Sequence, residues 1–289
     1  IDRSRGLGDV YKRQGPELLR RLIESMTVLA IAGTHGKTTT SSLLAHLLEC
    51  AGLKPGFLIG GVPENFGVSA RLGKGDYFVV EADEYDTAFF DKRSKFLHYY
   101  PDIFGINNLE FDHADIFDSL SSIEKQFHHA IRCISPKGTV VARSKIDSID
   151  RVLKQGIWSN LVMVGQDSEF CFSHNGRYLE SATHYLSSEW IMRGTHNARN
   201  AELAIAMAST VGVGLSEAFG AISSFQGVTG RLNKLFENNE LVIWDDFAHH
   251  PTAIAYTIET LKAEAPTDEL HAVIELKSNT MRAGVHRQA

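Results

Sequence analysis

Residues Thr27 to Gly52 read TVLAIAGTHGKTTTSSLLAHLLECAG. The first six are a short apolar run of strand length, Thr27 to Ala32. From Thr38 onward the apolar positions have helical spacing, with Leu43, Leu44, Leu47 and Leu48 on one stripe and Gly52 suited to the C-cap. A strand that feeds a glycine-containing turn and opens a helix presents orphan N–H groups and the positive end of the helix dipole to an anion. Gly36, Lys37 and Thr38 supply the end of the phosphate-binding pattern G-x-x-x-x-G-K-[ST], in which the lysine meets terminal phosphates and the hydroxyl meets Mg²⁺. The generic spacing is not met, because Ile31 stands five before Gly36 and the other loop glycine is Gly33. A plain strand–helix turn, with glycine for positive φ and hydroxyls for capping, is the competing reading.

Outward from this stretch the same alternation repeats. DYFVVEADE (76–84) reads as a second buried strand ending in carboxylates, and DIFGINNLEFDHAD (102–115) as a third apolar run ending in polar residues. SLSSIEKQFHHAIRCI follows as an amphipathic helix, then Gly138 to Ala142 as another strand. Alternating strands and helices predict a doubly wound, mostly parallel α/β sheet. Such sheets bind ligands beyond the carboxyl ends of their strands. Lys37, Glu81 and His113 each lie just past such an end, so they can converge.

Residues 157–190 look like short strands with turns, GTHNARNAELAIAMASTVG opens a helix, and Ser216 to Ser224 form a second. After the glycine-containing junction at 227–230, ELVIWDDFAHHPTAIAYTIETLKA reads as strand, loop and helix, with Pro251 in the first helical turn. LHAVIELKSNTM reads as one more strand and loop. These shifts divide the chain into 1–14, a charged and aperiodic stretch with the look of a non-native linker (a genuine N-terminal tail is the alternative); 15–227, a nucleotide-binding unit; and 228–289, about half of a usual α/β domain, so the C-terminus looks truncated.

The 289 residues are 43% hydrophobic with a net charge of −6, and no basic run interleaved with aromatics occurs, which argues against a nucleic-acid partner. No apolar run reaches membrane-span length. Cys50, Cys133 and Cys171 form no C-x-x-C motif, and their number and setting predict buried, reduced thiols and a cytoplasmic protein. The pairs His128–His129 and His249–His250 lack zinc-ligand spacing.

GTHGKTTT, EADE, NNLEFDHAD, the H-N-x-x-N of GTHNARN and DDFAHHPT occur in the order found in the Mur ligases, a family that the chain resembles from Thr27 to His286. The resemblance explains the loop spacing, since the family's own pattern is G-T-x-G-K-[ST]. It implies a nucleotide loop of Gly33, Thr34, His35, Gly36, Lys37, Thr38 and Thr39, with Lys37 on the β- and γ-phosphates of ATP and not in the core. It further implies Mg²⁺ on Thr38 and Glu81, a second metal bound or oriented by His113, adenine contacts from His196, Asn197 and Asn200, Arg231 on the phosphates across the junction, and Asp245 on the ribose. Lys37, Glu81, His113 and Arg231 would be the catalytic set.

Read without the resemblance, Glu81 is a solvated strand-end carboxylate, His113 a capping or core histidine, Asn197 and Asn200 helix caps, and Arg231 a surface residue. Lys125 stands slightly early for the lysine that several members carbamoylate, so that modification is not carried over. Only Arg231 remains where adjacent arginines are usual, and Lys277 stands where Pro-Arg is expected before SNTM. The family's N-terminal uridine-nucleotide domain and most of its C-terminal domain have no counterpart in these residues.

The implied activity is ATP-dependent amide ligation through an acyl phosphate. The lactyl carboxylate of UDP-N-acetylmuramate would be joined to the recycled murein tripeptide L-Ala-γ-D-Glu-meso-diaminopimelate. The length of DEYDTAFFDKRSKFLHYYPD and the wording of DFAHHPTAI and SNTM fit the tripeptide branch of the family. L-Alanine as acceptor, and a non-catalytic P-loop module, are the alternatives.

Overall fold

The computed structural model describes residues 14–88, 91–175, 177–276, 279–282 and 284. The first fourteen-residue stretch therefore lies, but for Gln14, outside the described residues, as does Lys277.

Helix α1 (Gly15–Leu22) precedes β1 (Thr27–Ala32), the strand of the opening stretch, and α2 (Lys37–Cys50) follows its turn. The chain then lays down β2 (Gly56–Leu58), β3 (Ala70–Arg71) and β4 (Tyr77–Glu81), a short hairpin of β5 (Asp86–Ala88) and β6 (Asp91–Ser94), and helix α3 (Phe96–Tyr99). Next come β7 (Ile103–Ile106), α4 (Leu120–Cys133), β8 (Thr139–Arg143), α5 (Asp147–Lys154) and β9 (Asn160–Val164). A three-stranded antiparallel sheet, β10 (Ser173–His174), β11 (Tyr178–Ser181) and β12 (Leu186–Glu189), leads into α6 (Thr195–Ser209) and α7 (Leu215–Ile222). The C-terminal unit is the antiparallel pair β13 (Asn233–Glu237) and β14 (Val242–Asp245), helix α8 (Pro251–Glu264) and the short α9 (Asn279–Arg282).

The main sheet has the order β3-β2-β4-β1-β7-β8-β9, parallel except for β3 at one edge. The doubly wound expectation holds. After β1 the chain places β2 and β3 toward one edge and fills β4 in between β2 and β1, then crosses to build β7, β8 and β9 outward on the other side. The end of β1 is thus the topological switch point, where open parallel sheets bind ligands.

β1 is buried almost throughout because both faces of the sheet are covered. Leu29 and Ile31 point into a core with Leu43, Leu44, Leu47 and Leu48 of α2 and the apolar face of α6. Val28, Ala30 and Ala32 point the other way, into a core with Phe96, Phe104, Phe127 and Ile149. Gly52, at φ 74°, ends α2 as its sequence position suggests.

Two expectations are corrected, and one strand is unanticipated. Residues 270–276, read as a strand, form none: a β-strand is stabilised by backbone pairing, and no neighbouring strand pairs with this run. The strand that does pair with β14 is β13, whose NKLFE has too little alternation to announce itself. The three cysteines are free, as expected, but exposed: Cys50 and Cys133 fall at the solvent-facing last positions of α2 and α4. No helix among the described residues is long and apolar enough to cross a membrane.

Candidate functional site

A cleft of about 560 Å³ opens at the carboxyl end of β1 between the main sheet and the C-terminal unit. Thr34, His35, Gly36, Lys37, Thr38 and Thr39 line it, together with Glu81, His113, His196, Asn197, Asn200 and Arg231. The structure therefore brings twelve sequence-selected residues, from four motifs and the junction at Arg231, to one space. Gly33 stands behind the lining, its carbonyl accepting from Lys37 Nζ at 2.7 Å. Asp245 is exposed at the end of β14 and does not line the cleft; its neighbour Asp246 does, and accepts from Thr257 Oγ1 at 2.5 Å. Successive residues of an extended segment face opposite ways, so a one-residue difference exchanges inside for outside.

The loop is shaped around missing side chains. Gly36, at φ 77°, is so close to its neighbours that a Cβ there would lie 2.5 Å from Asn200 Oδ1 and 2.9 Å from Asn107 Nδ2. Those neighbours are fixed. Asn107 Nδ2 donates to Asn200 Oδ1 (2.7 Å), Asn200 Nδ2 to Asn197 Oδ1 (3.0 Å), and Asn197 Nδ2 to the Arg193 carbonyl (2.8 Å). Arg143 locks the other end, with Nε on the Asn107 carbonyl (3.0 Å), Nη2 on its Oδ1 (3.1 Å) and Nη1 on Glu202 (2.5 Å). Asn197 and Asn200 are thus buried parts of a network that supports the loop from behind, and the start of α6 is brought against the start of α2.

Lys37 is the electrostatic centre. It is only 8% exposed, and its Nζ lies 3.0 Å from Glu84 Oε2 and 3.6 Å from Asp83 Oδ1. Burial opposes its charge, but Glu84, Asp83 and Glu81 outweigh that and hold its pKa above the ordinary lysine value. The expectation that Lys37 stays out of the core is corrected accordingly: it is the buried counter-ion of Glu84, itself 2% exposed. Glu84 Oε1 also meets His113 Nε2 at 3.5 Å; against burial, Lys37 first and His113 second lower the Glu84 carboxyl pKa, and Glu84 in turn raises that of the His113 imidazole. His113 sits at φ 54° with its ring 4.9 Å from that of Tyr85.

Glu81 accepts from Thr38 Oγ1 (3.0 Å) and from the Gly60 N–H (2.7 Å), and burial followed by the neighbouring Asp83 pushes its pKa up. Arg231 reaches across the junction to Thr38 Oγ1 at 3.1 Å. His196 stacks on Tyr256 with ring centres 5.4 Å apart and planes 5° from parallel. Burial and the nearby His35 and Arg199 lower its pKa to about 4. Lys125 is on the solvent face of α4.

Sequence reasoning passed over several residues of the site. Asp83, Glu84, Asn107, Asn108 and Glu110 lie inside the motifs EADE and NNLEFDHAD, so a signal was present. Arg143, Glu202 and Tyr256 stand in no motif and enter only through the fold.

Comparison with known proteins agrees with this construction. Residues 31–208 match the Mur ligase middle domain, and residues 230–288 the Mur ligase glutamate ligase domain. The chain is 46% identical over 284 residues to the UDP-N-acetylmuramate–L-alanyl-gamma-D-glutamyl-meso-2,6-diaminoheptandioate ligase of Haemophilus influenzae, covering 94% of this chain and 62% of that protein. It is 34% identical over 259 residues to the UDP-N-acetylmuramate–L-alanine ligase of Syntrophomonas wolfei, covering 85% and 54%. The crystal structure of a murein peptide ligase from Psychrobacter arcticus superposes with a TM-score of 0.75 at 38% identity, over 93% of this chain and 62% of that one. The chain thus spans about three fifths of the length of its curated tripeptide-ligase relatives. Matched by the middle-domain family over more than half its length, with the loop and cleft that its own residues build, this chain belongs to the Mur ligase family.

Proposed function

We propose that this chain carries the nucleotide-binding part of an ATP-dependent ligase that joins UDP-N-acetylmuramate to the tripeptide L-Ala-γ-D-Glu-meso-diaminopimelate. The observation that supports it most is the convergence of Lys37, Thr38, Glu81 and Arg231 around a loop with no room for a side chain at Gly36. The cleft volume suits a nucleotide-sized ligand. The division at 227/228 separates a unit that holds the phosphates from one that closes over them, and residues 1–14 belong to neither.

The residues fit both ATP and Mg²⁺. Thr38 Oγ1 and the Glu81 carboxylate are adjacent hard oxygen donors, which Mg²⁺ prefers. Among the described residues no group of three or more His, Cys, Asp or Glu is arranged to hold an ion, so phosphate oxygens complete its ligand set in this reading. ATP supplies the phosphoryl group that makes a carboxylate reactive toward an amine. Lys37 and Arg231 bring positive charge to the transferring group from opposite walls, and little covalent work falls to the protein. The ribose role moves from Asp245 to its cleft-lining neighbour Asp246. His113, oriented by Glu84, stands ready for a second ion.

The tripeptide acceptor rests on likeness to the Haemophilus influenzae enzyme; L-alanine is the second reading, favoured by the more distant relatives. Two measurements test the proposal. The chain should bind ATP in a Mg²⁺-dependent way, and Glu81→Gln should raise the Mg²⁺ concentration needed for half-saturation, because an amide is a weaker ligand for a hard cation. The protein extended to the length of its relatives should release phosphate with the tripeptide and not with L-alanine. An unchanged Mg²⁺ requirement sinks the role of Glu81, and turnover with L-alanine alone sinks the acceptor.

A further inference from the structure

Glu110 holds the nucleotide loop with one part of itself and the C-terminal unit with another. Its N–H donates to Thr34 Oγ1 at 2.8 Å, and its carbonyl accepts from the same hydroxyl at 3.2 Å. Its side chain reaches on: Oε1 meets His35 Nε2 at 3.3 Å, and Oε2 accepts from Thr252 Oγ1 at 2.6 Å, joining residues 142 apart in sequence.

The proton positions follow from the surrounding bonds. Asn108 Oδ1 takes the His35 N–H (3.0 Å), so its Nδ2 is the amide donor; it serves the His35 carbonyl (2.9 Å) and ring Nδ1 (3.2 Å). His35 therefore carries its ring proton on Nε2 and donates to Glu110. His250 caps α8 by accepting the Thr252 N–H on Nδ1 (3.3 Å), and its Nε2 faces the Phe111 carbonyl at 3.4 Å. The first turn of α8 is thus tied to residues 110–111 by Thr252 and His250, and residue 110 is tied to the loop by Thr34 and His35.

We infer that Glu110 is a positioning residue that couples the seating of the C-terminal unit to the conformation of the phosphate-binding loop. The seating itself stands on this geometry alone; its consequence for ligand affinity rests on the nucleotide reading above. A carboxylate suits the task because it accepts from two donors at once, one on each side of the cleft, and a hydrogen bond to a charged group is stronger than a neutral one.

The test is amide hydrogen exchange of this chain without nucleotide. Glu110→Ala removes the bonds to His35 and Thr252 together with the 3.5 Å approach of Oε2 to His250 Nδ1, and keeps the backbone clamp on Thr34. Thr252→Val removes only the Thr252 bond to the C-terminal unit, and Glu110→Gln preserves the reach, since its oxygen accepts from His35 and its amide donates to Thr252. Glu110→Ala and Thr252→Val should each speed exchange in the first turn of α8 by about tenfold or more, the loss expected for one such bond. Amides of β1 and the body of α2 should stay protected, the double variant should add little to either single one, and Glu110→Gln should restore most of the protection. Unchanged exchange at α8 in Glu110→Ala, additive effects in the double variant, or uniform loss across the main sheet each overturns the inference. An ADP titration is the separate arm: Thr252→Val, which leaves the cleft lining intact, should weaken binding several-fold. Wild-type chain that binds no ADP at all counts against the nucleotide reading, while the exchange data still decide the coupling.

Discussion

At the scale of single residues the site is a balance of buried charge. Lys37 neutralises the buried Glu84 at the wall of the cleft, so Lys37→Ala does two things. It removes the cation that faces phosphate, and it leaves Glu84 with His113 as its remaining partner. Breaking a buried pair typically costs 3–5 kcal/mol; with His113 still in place, about 3 kcal/mol of unfolding free energy is expected. Urea unfolding and an ATP titration check both losses, and a variant as stable as wild type shows that Glu84 does not depend on Lys37. His196 gives a second prediction. Its folded pKa is about 4 against an ordinary 6.5, so between these values the unfolded chain binds the extra proton and the folded chain does not. The stability that His196 contributes by staying neutral is therefore complete above pH 6.5 and is lost as pH drops toward 4. His196→Phe keeps a ring against Tyr256 and removes the titration, so its urea midpoint should decline less over that window. The decline that persists comes from His46, His128, His174 and His250, all held below their ordinary pKa, first by burial, and toward pH 4 from carboxyls such as Glu84 and Glu110, held low by Lys37 and by the His35 hydrogen bond respectively. Identical pH profiles for the two proteins count against a buried neutral His196.

At the scale of elements, strand, turn and helix around residues 27–50 meet at Gly36. Its positive φ strains any other residue, and the Asn200 and Asn107 side chains leave no space for a Cβ. Neither asparagine can move aside, since Arg143 and Asn197 hold them. Gly36→Ala should cost roughly 1–3 kcal/mol by strain and overpacking, and should reduce nucleotide affinity at least tenfold by reshaping the cradle. Wild-type affinity in this variant, measured by calorimetry, shows that the loop tolerates the methyl group. The elements that were legible from sequence share one property: their pattern is local. TVLAIA, YFVVE and the leucine stripe of α2 announce a strand or a helix whatever surrounds them. β13 and residues 270–276 do not, because pairing to a neighbour, and not local pattern, decides whether such segments are strands.

At the scale of the whole molecule, two apolar cores cover the faces of the main sheet, while no residue of the β13–β14 pair is buried. Leu235, Phe236, Leu241 and Ile243 are all exposed. Local opening follows buried apolar contact, so amides of β13 and β14 should exchange far faster than those of β1, β4 and β7. Equal protection across both sheets overturns that expectation.

The sequence by itself determined the strand–turn–helix at Gly36, the parallel sheet, and the identity of most residues that reach the cleft, because chain-adjacent chemistry and hydrophobic period are written in order along the chain. Only the tertiary structure decided that Lys37 is buried against Glu84, that Asn197 and Asn200 support the loop from behind, and that Asp246 and not Asp245 faces the cleft. Those facts depend on which groups from distant segments share one low-dielectric space and on which face of an extended segment meets it. Neither a distance between segments nor a burial is a property of any local run of residues.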